Sequence, residues 1–431
     1  SGQLGQGGWI SLGFNSAGLT LLNDWTSGTA IPNYGFAVAP SLTDQQQFKV
    51  FDSFLDSNLS SSQGGDCTGY CNPSLEVTYS TGAPPEVTSQ YPPDNYNSPV
   101  LTPELIASGQ DAQSLTLHYK FTVYNASGTQ VASSGSLSSG DWTVPAGDLA
   151  WGQTYYWTVQ ATDSLGSSPS PTDNYFSTPV PQPLVTSELS QNASGAGFDP
   201  RSGNWTTSAT DAQVSTVGPA LEVTRDYNSQ NPQLSGAFGA GWSSVLDMKV
   251  TPGETDASGA TATQVVTYPD GEQVAFGLNP GSSTYSPPPG RFATLTPVSG
   301  GFTLTDKNDT VYRFTQALSS GGYGITSITD ALGHTETFTW NGTGQITTIT
   351  SASGRMLHLT WTWPSNASYP HVSAVATDDA TSGNSATAQN WTYSYSGDDL
   401  SAACPPASTT ACTAYSLSLI HISEPTRQAE I

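Results

Sequence analysis

A 21-residue period in the second half of the chain constrains its fold more than any other feature. Ile325 recurs as Ile346, Ile328 as Ile349, Gly333 as Gly354, Phe338 as Leu359 and Trp340 as Trp361, all in one register. Each period holds two strands and two turns. Asp330-Ala331-Leu332-Gly333 turns into a strand through Phe338 and Trp340, and Asn341-Gly342-Thr343-Gly344 turns into the strand of Ile346 and Ile349. Looser copies come earlier: Phe276 follows Gly271, and Phe314 follows Asp309, at the same five-residue offset that separates Phe338 from Gly333. A unit this short cannot bury its apolar face alone, so the copies are expected to stack into one extended, strongly curved sheet.

The rest of the chain agrees with an all-β reading. Glycine (43 residues) and proline (30) break every stretch in which apolar residues might keep helical spacing, and only 10% of the chain is charged. The 34 acidic residues outnumber the 10 basic ones, for a formal charge of −24. Such a surface repels phosphate backbones and anionic lipids, which excludes nucleic acid as a partner. No apolar run reaches membrane-spanning length, so no membrane insertion is expected. Cys67 and Cys71, and Cys404 and Cys412, form two local pairs in Gly/Ser/Pro-rich loops. Two disulfides made in an oxidising space are the preferred reading. A metal site has poor spacing and no nearby histidine, and reduced bystander thiols remain a third reading.

Ahead of the repeats the pattern shifts twice. Residues 1–80 carry short strands, with Leu75, Val77 and Tyr79 in clean alternation. Residues 81–180 open on Pro84-Pro85. There Leu115, Leu117, Tyr119, Phe121 and Val123 share one face of a strand that ends in a turn at Asn125 to Gly128. Tyr155, Trp157, Val159 and Ala161 share one face of another. Residues 181–195 read as a linker.

Four resemblances follow from these residues. The segment from Trp25 through Asn33-Tyr34-Gly35-Phe36 to Tyr79 resembles the second half of a DNRLRE-type β-sandwich. Leu149, Gly152 and Tyr155 resemble the corner before strand F of fibronectin type III and Ig-like sandwiches. Trp340-Asn341-Gly342-Thr343-Gly344-Gln345-Ile346 resembles the YD-repeat pattern, with Trp, Asn and Gln in place of its Tyr, Asp and basic residue. Tyr393 to Leu400 is a variant one residue short. Asp199 to Asn204, Arg225 to Ser229 and Phe238-Gly239-Ala240-Gly241-Trp242 resemble the entry to an RHS core. The expected organisation is two sandwich modules, an entry region at 196–300 and YD-type repeats at 301–416. The chain opens on Ser1 without a leader and is read as starting inside a longer protein. Residues 417–431, from Leu417-Ser418-Leu419-Ile420-His421, resemble a translated sequencing-library adapter and are expected to be foreign.

Chemistry-bearing patterns are sparse. The histidines are not at equivalent repeat positions, and Asp378-Asp379 and Asp398-Asp399 read as solvated turn residues. Asp306, Asn308 and Thr310 match the first calcium-loop spacings, but Val311 and Ala317 stand where that loop needs Gly and Glu. No catalytic residue, cofactor or metal is expected. RHS proteins coil such repeats into a hollow shell, which in many bacterial members encloses a toxin placed after the repeats. The resemblance therefore implies a secreted, non-enzymatic scaffold whose partner is its own C-terminal domain. The alternative is a wall-associated adhesin that binds cell-wall glycan or a neighbouring cell surface.

Overall fold

Short runs with a two-residue apolar alternation, cut by Gly, Pro and Asn turns, form strands almost throughout, and the fold is all-β. The computed structural model describes Thr20 and residues 84–416, except 170, 184–195, 200–202, 232, 256–259, 385–386, 407 and 409–410. The expectations for the 1–80 module, for Cys67 and Cys71 and for the tail at 417–431 fall outside the described residues. The chain divides between Thr81 and Gly82, and the second unit is the one described below. No helix among the described residues is long and apolar enough to cross a membrane.

Residues 86–177 build two facing sheets. One has three strands, Glu86–Tyr91, Glu104–Gln110 and Asp141–Thr143. The other has five, in the order Tyr96–Asn97, Asn174–Ser177, Thr154–Thr162, His118–Asn125 and Gln130–Ser133. Tyr155, Trp157, Val159 and Ala161 all point into the core, where they meet Leu105, Ala107, Phe121 and Val123. The alternating run expected from Leu115 is strand only from His118 onward, with Leu115 and Leu117 half-buried ahead of it. At the corner, the Tyr155 hydroxyl accepts a hydrogen bond from the Ala150 N–H at 2.9 Å, beside buried Leu149.

This sandwich is docked on the sheet that follows it. Trp151 is buried with Val180 and Ala275, and its N–H donates to Asn279 Oδ1 at 2.9 Å. The Gln182 amide mimics a strand: its Nε2 donates to the Ala275 carbonyl and its Oε1 accepts from the Ala275 N–H, both at 3.0 Å. The contact depends on the missing side chain at Gly277, because a Cβ there would lie 2.4 Å from Trp151 Cδ1. Gly277→Val is therefore expected to undock the sandwich without unfolding either core. Hydrogen exchange should rise at residues 178–183 and 273–278 and stay unchanged in the strand Thr154–Thr162.

Beyond residue 203, a four-stranded sheet (Ala196–Asp199, Asn204–Val214, Leu221–Asn228, Trp242–Ser243) precedes a large one, in which fifteen strands are joined among the described residues. The strand Tyr323–Thr329 is the branch point. It pairs along its length with Val311–Ala317 and divides its other edge between Lys249–Pro252 and Thr335–Trp340.

From there the repeat is visible as four equivalent hairpins. Phe314 lies opposite Ile325, Trp340 opposite Ile346, Trp361 opposite Val372, and Tyr395 opposite Leu400. A register shift sits beside each of these pairs, so each copy carries a bulge at the same place and gains the same extra twist. Ile325 and Ile328, Ile346 and Ile349, Val372 and Val375, and Leu400 and Ala403 all enter one core. The turn residues Gly333, Gly344 and Gly354 take φ of 79 to 88°, a backbone that side chains disfavour. In the first two of these turns, Asp330 Oδ1 caps the N–H groups of Leu332 and His334, and Asn341 Oδ1 caps those of Thr343 and Gln345.

Candidate functional site

The repeat landmarks carry a hydrogen bond that explains their spacing. The ladder between one hairpin and the next stops at Ser327–Thr337, and it stops again at the equivalent Thr348–His358 and Ala374–Thr392. The next inward carbonyl is then met by an aromatic side chain. Trp340 Nε1 donates to the Ile325 carbonyl at 2.8 Å, Trp361 Nε1 to Ile346 at 2.7 Å, and the Tyr395 hydroxyl to Val372 at 2.6 Å. An aromatic ring with a polar tip is thus what this position requires, and both Trp and Tyr supply it. Trp340→Phe keeps a ring but leaves the carbonyl unmet. Denaturant unfolding should show a loss of about 2 kcal/mol.

The most polar buried constellation lies between the four-stranded sheet and the last hairpin. The strand Leu221–Asn228 sends Leu221, Val223 and Arg225 inward, and Arg225 is 1% exposed. A bulge between Thr210 and Gln213 turns both Asp211 and Ala212 toward the same core. Asp211 holds Arg225 with two hydrogen bonds, Nε to Oδ2 at 2.5 Å and Nη2 to Oδ1 at 3.0 Å. The Tyr393 hydroxyl donates to the same carboxylate at 2.7 Å. Four rings enclose the guanidinium, with centroids 4.8 Å away for Trp242, 5.4 Å for Tyr393, and 5.7 Å for Phe238 and Tyr415. Burial disfavours this charge, but the hydrogen bonds and the charge of Asp211 hold Arg225 protonated, above its ordinary range. Burial, together with the charge of Asp211, pushes the Tyr393 phenol upward.

The segment Phe238-Gly239-Ala240-Gly241-Trp242 makes the adjoining backbone contacts. Ala240 N–H donates to the Asp398 carbonyl at 2.9 Å, and Val372 N–H donates to the Ala237 carbonyl at 2.8 Å. Gly239 (φ 95°) lets the chains approach, since a Cβ there would sit 2.3 Å from the Asp398 carbonyl oxygen. Buried His371 spans the same seam, with Nδ1 2.9 Å from the Gly236 carbonyl and Nε2 3.0 Å from Asp398 Oδ1. Burial would raise the Asp398 carboxyl, yet hydrogen bonds from Ser368 and Tyr369 N–H groups and from His371 hold it below the usual carboxylate range. Asp398 is thus a fixed acceptor, not the solvated turn residue expected from sequence, because the loop before His371 folds onto it.

One acid faces this seam without a full set of partners. Glu336 points inward beside Phe338 and is 3% exposed, and its Oε1 meets no hydrogen-bond partner among the described residues. Burial first, and then the charge of Glu222, push its carboxyl up to about 8.

The other candidates do not converge. His334 pairs with Asp330 and exposed His358 with Asp378, while His118 stands exposed on its strand. Asp306 caps the N–H groups of Asn308 and Thr310, which makes the would-be calcium loop a closed turn. Cys404 and Cys412 form a disulfide, one of the two expected pairs. Nothing in the sequence patterns marked the ion pair as such, although Arg225 stood at an inward position of an alternating strand.

Strand, turn and seam together define an all-β repeat protein whose hairpins stack behind an entry sheet bolted to them by a buried ion pair. Residues 324–356 match the family described as RHS Repeat, and residues 197–276 match one described as Domain of unknown function (DUF6531). These matches support an RHS/YD-repeat protein. The first of the two spans the hairpin pair of Trp340 and Ile346, and the second runs from the entry sheet into the large sheet as far as Phe276. No curated protein matches the chain.

Proposed function

We propose that the chain is the non-enzymatic scaffold and early shell of a large secreted RHS/YD-repeat protein, which encloses and delivers a toxin domain carried beyond the repeats. The observation that carries this reading is the shared core. The entry sheet and all four hairpins bury their apolar residues in one cluster, from Ala212 to Ala403. The polar groups at its centre are spent on one another, which suits a wall better than a reaction site. The tyrosine corner and the three-plus-five strand arrangement support a fibronectin type III-like spacer ahead of that wall. Residues 1–80 fit a DNRLRE-like module of the same spacer arm. The Cys404–Cys412 bridge suits an oxidising, extracellular setting.

Sequencing the intact gene outward from the Tyr415 codon tests the reading. Further repeats ending in an unrelated terminal domain are expected. An anchor or a run of binding modules would instead favour the adhesin. Persistence of the codons for residues 417–431 in genomic DNA would overturn their reading as adapter.

A further inference from the structure

We propose that a cavity beside the docked sandwich is a saccharide-binding site. It measures about 700 Å³ and is lined by Tyr268, Arg291, Phe292, Lys307, Asn308 and Tyr312, among others, a size suited to a small ligand. Its walls are prepared. Tyr268 is packed against the main core, and Arg291 lies 4.8 Å over its ring while pairing with Glu272. Tyr312 is likewise half-buried against that core.

The opposite rim is of another kind. The run Pro287-Pro288-Pro289-Gly290 stiffens a loop that ends in Phe292, which at 76% exposure is the most exposed aromatic ring among the described residues. Folding gains nothing from a phenyl ring held in water, so its placement at a cavity mouth is accounted for by a ligand face.

The charges point to the ligand class. The chain as a whole carries 34 acidic and 10 basic residues, but here Arg291 and Lys307 stand with Glu272 and Asp306 at the same cavity. Balanced donors and acceptors set around aromatic rings match the hydroxyls and apolar C–H face of a pyranose. A lipid would need an apolar tunnel, and a polyanion would be repelled by the rest of the surface. The inference is independent of the cargo reading, since either a scaffold or an adhesin could hold a glycan here.

Ligand-observed NMR on the full chain, with chitotetraose, cellotetraose and tetragalacturonate as probes, tests it. At least one probe should bind. Phe292→Ala should weaken that binding about tenfold or more, whereas Trp363→Ala, which removes another exposed ring, should leave it unchanged. Lys307→Ala weakening only tetragalacturonate would assign a carboxylate-bearing sugar, and an equal or absent effect would assign a neutral one. Both changes are at exposed side chains, so loss of fold does not confuse the result. The proposal is overturned if none of the three saccharides binds at millimolar concentration, or if binding survives Phe292→Ala. It is equally overturned if a proline-rich decapeptide binds in a Phe292-dependent way and the saccharides do not.

Discussion

Arg225→Ala is expected to be among the most damaging single substitutions in the chain, lowering the stability of the entry–repeat unit by about 3–5 kcal/mol. The change removes a guanidinium that fills the space among Trp242, Tyr393, Phe238 and Tyr415, and it strands Asp211 and the Tyr393 hydroxyl inside the core. Calorimetry should show the corresponding transition fall by roughly 10 °C while that of the sandwich stays in place. The triple change Arg225→Met, Asp211→Leu and Tyr393→Phe separates two explanations. It leaves no charge buried alone, so most of the lost stability should return. If the triple variant is as unstable as Arg225→Ala, the damage comes from packing and not from a stranded charge.

The second large effect depends on pH. Glu336 titrates near 4.5 when unfolded and near 8 when folded. Between those values the folded state keeps a proton that the unfolded chain has lost. Folding is therefore progressively disfavoured as pH climbs from about 4.5 to 8, by a total on the order of 4 kcal/mol, with no further change above that range. Glu336→Gln cannot lose the proton. Its stability relative to wild type should rise across that window, so that it melts roughly 10 °C higher at pH 8.5 after starting near parity at pH 4.5. A wild type and variant with parallel stability profiles between pH 4.5 and 8.5 would show that Glu336 is ionised in the folded protein.

How much of this was legible in the sequence varies with the element. The landmarks from Ile325 to Trp361 could be read because both hairpin and connection keep their length between the first and second copies. The third and fourth copies, with Val372 and Val375, then Leu400 and Ala403, lose that register. The connections at 363–370 and 378–389 lengthen the step, although the strands beneath are unchanged. Period-two alternation places Arg225 and Glu336 on inward faces, so both could be suspected. Asp211 could not, since only the bulge turns it inward. Nor could Tyr393, which meets Asp211 across 182 residues of sequence. Asp398 looked like any turn aspartate, because its partners Ser368, Tyr369 and His371 come from an insertion that carries no signature of its own. Local pattern therefore located the repeat, and tertiary closure decided which polar residues would be buried with it.

The central claim is that the entry sheet and repeats form a wall around a cargo domain. Limited proteolysis of the intact, full-length protein, followed by mass spectrometry, tests it most directly. The account predicts that the region beyond the repeats resists protease while the wall is folded, and that in Arg225→Ala it becomes cleavable at the lower temperature where the entry–repeat unit opens. Rapid cleavage of that region in the native wild-type protein, with the repeats still intact, would contradict it.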